Sequence, residues 1–196
     1  NMATEANIDV QTREMTIHVE GYYTGDSPQS TNKLNVALLQ NNTLGPQTGG
    51  NAGNEYVHQH RLIHLVTGQW GEDIATTTSG SFVDKTYTYT IPVDHNGVPI
   101  ELADLELVVF MTETTQEIIS GNGAFPSYTN LEYQNDVTLK EIKNIPEQCV
   151  NAISPVVVIQ NTGENTVNSV DIEYGINGSS HTYTWTGTLT SLQSET

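Results

Sequence analysis

The stretch Thr86-Tyr87-Thr88-Tyr89-Thr90-Ile91 alternates threonine with large side chains without a break. Side chains two apart share one face of an extended chain, so Tyr87, Tyr89 and Ile91 line one side and the threonines the other. A helix cannot sort these residues by face; a half-buried strand can. The same period recurs along the chain. Met15, Ile17 and Val19 alternate with Thr16, His18 and Glu20, and Tyr22-Tyr23 extends that run. Val170, Ile172, Tyr174 and Ile176 alternate with Asp171 and Glu173; Asn177-Gly178 is a two-residue hairpin signal, and 182–186 returns with Tyr183 and Trp185 inward. Two runs are apolar on both faces, 34–40 and 105–112, and read as central strands. Only at 61–66 do Leu62, Leu65 and Val66 fall at three- and four-residue spacing, which predicts a brief helical turn.

The punctuation agrees with strands. Gly25-Asp26-Ser27-Pro28, the Gly- and Asn-rich loop 45–53, Pro92 and Asp94-His95-Asn96-Gly97 are turn chemistry. A strand at 116–120 is expected to stop at Gly121-Asn122-Gly123, and 124–134 reads as a connector. Asp136 opens a second unit through Val137, Leu139 and Ile142, followed by 156–159 and the turn Asn161-Thr162-Gly163. No long helix and no strand–helix alternation is present, which favours an all-β fold of two immunoglobulin-like β-sandwich domains in tandem. The expected boundaries are 1–134, an extended sandwich, and 135–196. The second shows about four strands where such a sandwich has roughly seven, so it is expected to be incomplete.

Charge excludes several functions. Six Lys and Arg stand against 23 Asp and Glu, a net charge of −17. Nucleic acid requires basic patches that neutralise phosphates, and an anionic bilayer attracts the same residues. The expectation is an acidic protein kept apart from its copies, with Ca²⁺ in acidic loops as the sharper alternative. Cys149, the single cysteine, cannot form a bridge within the chain. No apolar run approaches the roughly 18 residues of a transmembrane helix, and the reading expects no signal peptide within the residues given. The polar ends at Asn1 and Thr196 are expected to be cut from something longer.

Candidate chemistry concentrates at 54–74, which holds three of six histidines, one of two tryptophans and one of six basic residues. If Tyr56-Val57-His58-Gln59-His60 is a strand, His58 and His60 share a face, with His64 one turn on. These three imidazoles are the candidate metal ligands for Zn²⁺ or another transition metal, with Glu55 or Glu72 completing the shell. The same stretch read without metal makes Tyr56, His58, His60 and Trp70 a ligand-binding surface, or leaves the histidines as structural hydrogen-bonding groups. There is no His-Glu-x-x-His helix, and Ser79-Gly80 and Ser120-Gly121 lack a hydrolase elbow. Cys149 has no flanking histidine. Glu101, Asp104, Glu106, Glu113 and Glu117 are carboxylates that pair for glycoside cleavage only if strand neighbours set the distance; alternation makes them a solvated face. Asp94-His95-Asn96-Gly97 lacks the later bidentate Glu of a Ca²⁺ loop. Asn41-Asn42-Thr43 is formally a glycosylation acceptor and is set aside as a site.

Several of these stretches resemble a known family. Residues 34–40 (Leu-Asn-Val-Ala-Leu-Leu-Gln), Gly45-Pro46-Gln47, Tyr56-Val57-His58-Gln59-His60, Trp70-Gly71-Glu72-Asp73-Ile74 and Val108-Val109-Phe110-Met111-Thr112-Glu113 are similar to the β-sandwich part of the Porphyromonas-type twenty-eight-kilodalton outer-membrane protein family of Bacteroidetes. The resemblance covers roughly residues 1–130. That family often carries a thioredoxin-like region upstream; none is expected within residues 1–196, so no redox role is carried over. Arg61 directly follows the second histidine here and His64 is additional, so no role is carried over to the arginine. Residues 136–196 resemble the CARDB-like adhesion-type repeats of secreted Bacteroidetes proteins, on Cys149, 155–159, Asn161-x-Gly163, Tyr174-x-Ile176-Asn177-Gly178 and Trp185-x-Gly187-x-Leu189.

The two resemblances imply an exported protein of the cell surface or outer membrane, plausibly by a type IX route, without a cofactor. The expected role is non-catalytic: binding, adhesion or an accessory subunit, with other outer-membrane subunits or an extracellular ligand as partner. The competing class is a metal-dependent enzyme or metal-binding protein built on His58, His60 and His64.

Overall fold

The computed structural model describes residues 1–49, 53–114, 117–146, 153–175 and 178–196. The expectations placed on Gln116, Cys149, Ile176 and Asn177 lie outside these residues. The chain divides into two compact units, Asn1–Ser127 and Tyr128–Thr196. The fold is all-β: no α-helix occurs among the described residues, and a single 3₁₀ turn spans Leu102–Asp104. No helix there is long and apolar enough to cross a membrane.

The first unit runs β1 (Met2–Asp9), β2 (Glu14–Tyr22), β3 (Asn32–Gln40), β4 (Thr43–Gly45), β5 (Tyr56–His58), β6 (Arg61–Leu65), β7 (Glu72–Ile74), β8 (Phe82–Thr90), β9 (Asp94–His95), β10 (Val98–Pro99), β11 (Leu105–Thr112) and β12 (Ile118–Ala124); β13 (Ser127–Thr129) begins on its last residue. One sheet orders β1-β2-β8, the other β12-β11-β3-β6 with β7 also on β3, and every pairing is antiparallel. Alternation builds the interior. Ile8, Met15, Ile17 and Val19 of the first sheet and Leu34, Val36, Leu38, Leu105, Leu107 and Val109 of the second are buried to within 1 % of their surface. Each such side chain stabilises the fold by about 1.5–3 kcal/mol relative to an exposed one. The central strands expected at 34–40 and 105–112 are β3 and β11, side by side.

Three expectations are corrected in this unit. Residues 61–66 are not helical: β6 pairs with β3, and the register slips between Leu38 and Leu39. Leu62 opposes Leu39 and Leu65 opposes Ala37, so Ile63 is the extra residue of a bulge. That bulge places Leu62 and Leu65, three apart, on one face, imitating a helical period. Gly121-Asn122-Gly123 does not stop a strand: β12 continues through it opposite Phe110, Val109 and Val108. A Cβ on Gly121 would lie 3.1 Å from the Val109 carbonyl, so the glycine lets the strands approach. Strand β1 was not expected, because its inward residues Ala6 and Ile8 are too few to show a period.

The 94–97 turn is a tight hairpin. His95 opposes Val98, and Asn96 and Gly97 both take left-handed φ (55° and 77°), as a two-residue turn of that hand demands. Gly97 N–H donates to Asp94 Oδ1 at 3.0 Å, so the aspartate closes the turn on itself.

The second unit contains β14 (Val137–Lys143), β15 (Val156–Asn161), β16 (Val167–Tyr174), β17 (His181–Leu189) and the short β18 (Ser194–Glu195). Its sheets order β14-β15-β18 and β16-β17. The core is small: Ile159, Trp185 and Leu189 are buried, with Val137, Val157, Val167, Val170 and Ile172 packed against them. Trp185 points inward as expected; Tyr183, expected to do so, is 59 % exposed.

Candidate functional site

The 54–74 stretch does not act as one strand-borne cluster. The β5 strand ends at His58, and His60 sits in the left-handed region with φ 55°. The rule that side chains two apart share a face therefore stops applying between them. His58 meets the edge of Tyr56, ring centroids 4.8 Å apart, and packs over Gly45 across the β4–β5 hairpin. His60 Nδ1 lies 3.0 Å from Glu106 Oε2, and its backbone N–H donates to Asn41 Oδ1 at 2.9 Å. His64 stacks on Tyr89 at 4.3 Å with rings 7° from parallel. The three imidazoles thus face three different partners, and among the described residues no group of three or more His, Cys, Asp or Glu is placed to hold a metal. Neither carboxylate considered for the shell joins them. Glu55 is exposed, and Glu72 is engaged by Lys85 and Tyr87.

A network of amides and carboxylates forms instead at this end of β3 and β11. Asn41 Nδ2 donates to Glu106 Oε2 at 2.9 Å, beside His60. Asn42 Nδ2 donates to Asp104 Oδ1 at 2.9 Å, and Gln59 Nε2 donates to Asn42 Oδ1 at 3.0 Å. Asp104 and Glu106, two of the five carboxylates considered for glycoside cleavage, therefore serve as acceptors that fasten 59–60 to the β3 end. Asn41, Asn42 and Gln59 were the residues that spacing rules could not single out. The Asn41-Asn42 pair that reads as a modification site is a hinge of hydrogen bonds.

Beside this network the hairpin presents apolar side chains to solvent. Leu44 opposes Val57 across β4 and β5, and the two are 65 % and 44 % exposed. Tyr56, Leu62 and Trp70 are also exposed. Trp70 stands on the turn between Gly68 and Gly71, which folds tightly over β3. Gly71 has φ 74°, and a Cβ there would lie 2.8 Å from the Leu34 carbonyl and from Asn35 Oδ1. Gly71→Ala is expected to lower the stability of the first unit by roughly 2 kcal/mol, the cost of a left-handed alanine plus a backbone clash. A urea midpoint unchanged within error would refute this.

Arg61 opposes Gln40 in register, and its Nη1 and Nη2 atoms are buried without a hydrogen-bond partner among the described residues, as are Gln40 Oε1 and Thr43 Oγ1. Arg13 shows the usual solution: its guanidinium donates to the carbonyls of Ile91, Pro92 and Ile100.

Ionised groups also bind the sheets together. Glu72 of β7 accepts from Lys85 Nζ and, at 2.7 Å, from the Tyr87 hydroxyl, both on β8. With the His64–Tyr89 stack, these contacts bridge one sheet edge to the other. The hydrogen bond from Lys85, then that from Tyr87, holds the Glu72 carboxyl below its usual value of 4.5. Burial, reinforced by Glu72, pushes the Tyr87 hydroxyl well up. On the first sheet His18 lies 3.0 Å from Asp84 and 3.6 Å from Glu5, and the Asp84 hydrogen bond raises its pKa above 6.5.

The two shifts act in opposite directions. A depressed carboxyl stabilises the fold above its unfolded pKa and loses that contribution as pH falls through its folded value; a raised imidazole stabilises below its unfolded pKa and loses it as pH rises through its folded value. Glu72→Gln is therefore expected to be most damaging above pH 4.5, by about 1 kcal/mol given its partial exposure. His18→Gln is expected to be damaging only on the acidic side of the histidine range. Thermal midpoints of both variants against pH test the signs; a His18 effect that grows toward alkaline pH would overturn the assignment.

The model of the outer membrane protein family Omp28 matches residues 1–122. Among solved structures, the chain is similar to a domain of the outer membrane lipoprotein Omp28 from Porphyromonas gingivalis, at 17 % identity, covering 66 % of this chain and 97 % of that domain with a TM-score of 0.47. It is also similar to HBP35 of Porphyromonas gingivalis, at 16 % identity, covering 94 % of this chain and 62 % of that one with a TM-score of 0.52. No curated protein matches.

Proposed function

The chain belongs to the Omp28 family of outer membrane proteins, and from that premise we propose that it is a non-catalytic binding or structural subunit of the outer-membrane surface. Its β-rich architecture and its place at that surface are the family's. The reading adds that both units are immunoglobulin-like sandwiches, the second a CARDB-like adhesion module, and that export follows a type IX route.

One observation carries the functional part. The β4–β5 hairpin displays Leu44 and Val57 side by side in solvent, next to a network that holds 59–60 rigidly by side-chain hydrogen bonds. Exposed apolar side chains on a fixed frame are how protein contacts are built, and Tyr56 and Trp70 add the residue types that dominate such contacts. The imidazoles are held to neighbours within the chain, which suits recognition better than proton transfer.

A photo-crosslinking residue at Val57, in protein displayed on the cell surface, is expected to capture a defined outer-membrane or extracellular protein. Leu44→Asp, which leaves the hairpin hydrogen bonds intact, is expected to abolish that capture. Capture unaffected by Leu44→Asp would refute the hairpin as the contact. One stoichiometric metal in the purified protein, lost in His60→Ala, would replace this reading with the metal-dependent one.

A further inference from the structure

Where β3, β4 and β6 meet, Arg61 holds a buried guanidinium for a group from outside the chain: we propose that it binds a carboxylate, admitted when the β4–β5 hairpin lifts. The inference does not depend on what Leu44 and Val57 contact.

Register places the site. Arg61 is the first residue of β6 and stands directly across from Gln40, the last of β3, so the two side chains share a face. Gln40 is only 2 % exposed, and its Oε1 atom is buried without a partner among the described residues. So are both terminal nitrogens of Arg61 and, a short step along the chain from Gln40, the Thr43 hydroxyl. A guanidinium is an array of donors that cannot shed its proton. One amide oxygen and one hydroxyl, both neutral, do not balance its charge. Holding such a charge away from water is costly unless an anion meets it.

The neighbouring acceptors are engaged elsewhere. Arg13 holds the carbonyls of Ile91, Pro92 and Ile100, and Gln40 Nε2 donates to the Pro99 carbonyl at 3.4 Å. Asp104 Oδ1 accepts from Asn42, and Glu106 Oε2 accepts from Asn41 beside His60. Neither carboxylate pairs with Arg61. The missing partner is therefore an anion with two oxygens side by side. The fork formed by Nη1 and Nη2 matches a carboxylate, with the Thr43 hydroxyl as a further donor. A net charge of −17 repels polyanions, and a single carboxylate meets the least of that repulsion.

Access requires movement, because the buried nitrogens are closed off from solvent. The topology supplies it. Strands β4 and β5 pair only with each other, and among the described residues 43–49 and 53–58 make no backbone hydrogen bond to either main sheet. At the two roots of the hairpin, Asn42 and His60 take left-handed φ of 54° and 55°. The side-chain bonds of Asn41, Asn42 and Gln59 fix those roots. A two-stranded flap on fixed roots can carry Thr43 away from Gln40 and Arg61 without breaking a ladder of the main sheets.

The test uses the whole chain at pH 7, with sodium acetate against sodium chloride at equal ionic strength. Acetate at about 0.1 M is expected to raise the thermal midpoint of the first unit by about 3 °C or more over chloride, and to slow amide exchange at 43–45 and 56–58. Arg61→Met keeps the packing of the stem without the charge. It is expected to abolish the acetate response and to leave the midpoint in chloride equal or higher, because the unpaired charge is gone. Arg61→Lys keeps the charge without the fork and is expected to weaken acetate binding about tenfold. A blocked peptide with one Glu among alanines, compared with its Gln form, separates the sources. Tighter binding of the Glu peptide than of acetate assigns the site to a side chain of a partner protein, and a response to acetate alone assigns it to a free small carboxylate. Three outcomes would overturn the proposal: an acetate effect no larger than that of chloride, a response retained in Arg61→Met, or a lower midpoint of Arg61→Met in chloride, which would make Arg61 a strut of the fold. Acetate binding that leaves exchange at 43–45 and 56–58 unchanged would overturn the flap.

Discussion

Leu107→Ala is expected to lower the stability of the first unit by roughly 3–5 kcal/mol, enough to unfold much of it near body temperature. Leu107 is wholly buried, at the middle of β11, and opposes the equally buried Leu38 on β3. Truncation removes the transfer energy of the missing carbons and leaves a void that β-sheet backbones on both sides cannot close. Leu62→Ala is the matching control. It deletes the same atoms from another strand of the same sheet, but Leu62 is half exposed, so a change of less than about 0.5 kcal/mol is expected. Chemical denaturation of both variants decides the matter. Equal losses would mean that the two sheets do not share the interior described above.

Asn161→Ala should disable the second unit alone, with a loss of roughly 3–4 kcal/mol. Asn161 is fully buried at the end of β15. Its amide donates to the carbonyls of Asn165 and Leu189, both at 2.9 Å, and its Oδ1 accepts from Gly163 N–H at 2.9 Å. One side chain thus ties the 161–165 turn to the end of β17. Alanine strands three backbone groups, and each buried orphan costs about 1 kcal/mol or more beyond the lost bond. Asn161→Asp is nearly the same shape, yet it points a second oxygen at two carbonyls and is expected to be no better. Trp185 emission in the Trp70→Phe background reports on this unit. A stable Asn161→Asp protein would show that the amide donates nothing there.

Much of the first unit could be read from residue order because its strands obey one rule. The runs at 34–40, 86–91 and 105–112 keep their period and their burial, and β3 and β11 turned out to be neighbours in the middle of a sheet. Errors arose wherever one residue broke the period. The extra Ile63 made a strand look helical, and the extra residue at Lys140 hid the shared face of Leu139 and Ile142. Asn161 read as a turn former, which it is, but its side chain is a buried strut. Turn chemistry is local and legible; a hydrogen bond to Leu189 depends on where a distant strand ends.

The candidate site was harder to read for the same reason. Clustering in sequence singled out Tyr56, His58 and His60, and of these Tyr56 and His58 meet edge to face. It could not tell that His60 adopts a left-handed backbone, which turns its ring to Glu106. Nor could it show that His64 faces Tyr89 on another sheet. Arg61 illustrates the limit most clearly: its place beside two histidines gave no sign that its guanidinium is buried opposite Gln40.

The bridges from Glu72 and His64 to β8 have a consequence for self-association. They clasp the rims of the two sheets, and Asn122 reaches from β12 to the Met2 carbonyl at the opposite rim. A foreign chain finds no easy ladder to climb there. Fibril-type pairing would have to open these rims first, and salt that masks the net charge of −17 does not by itself open them.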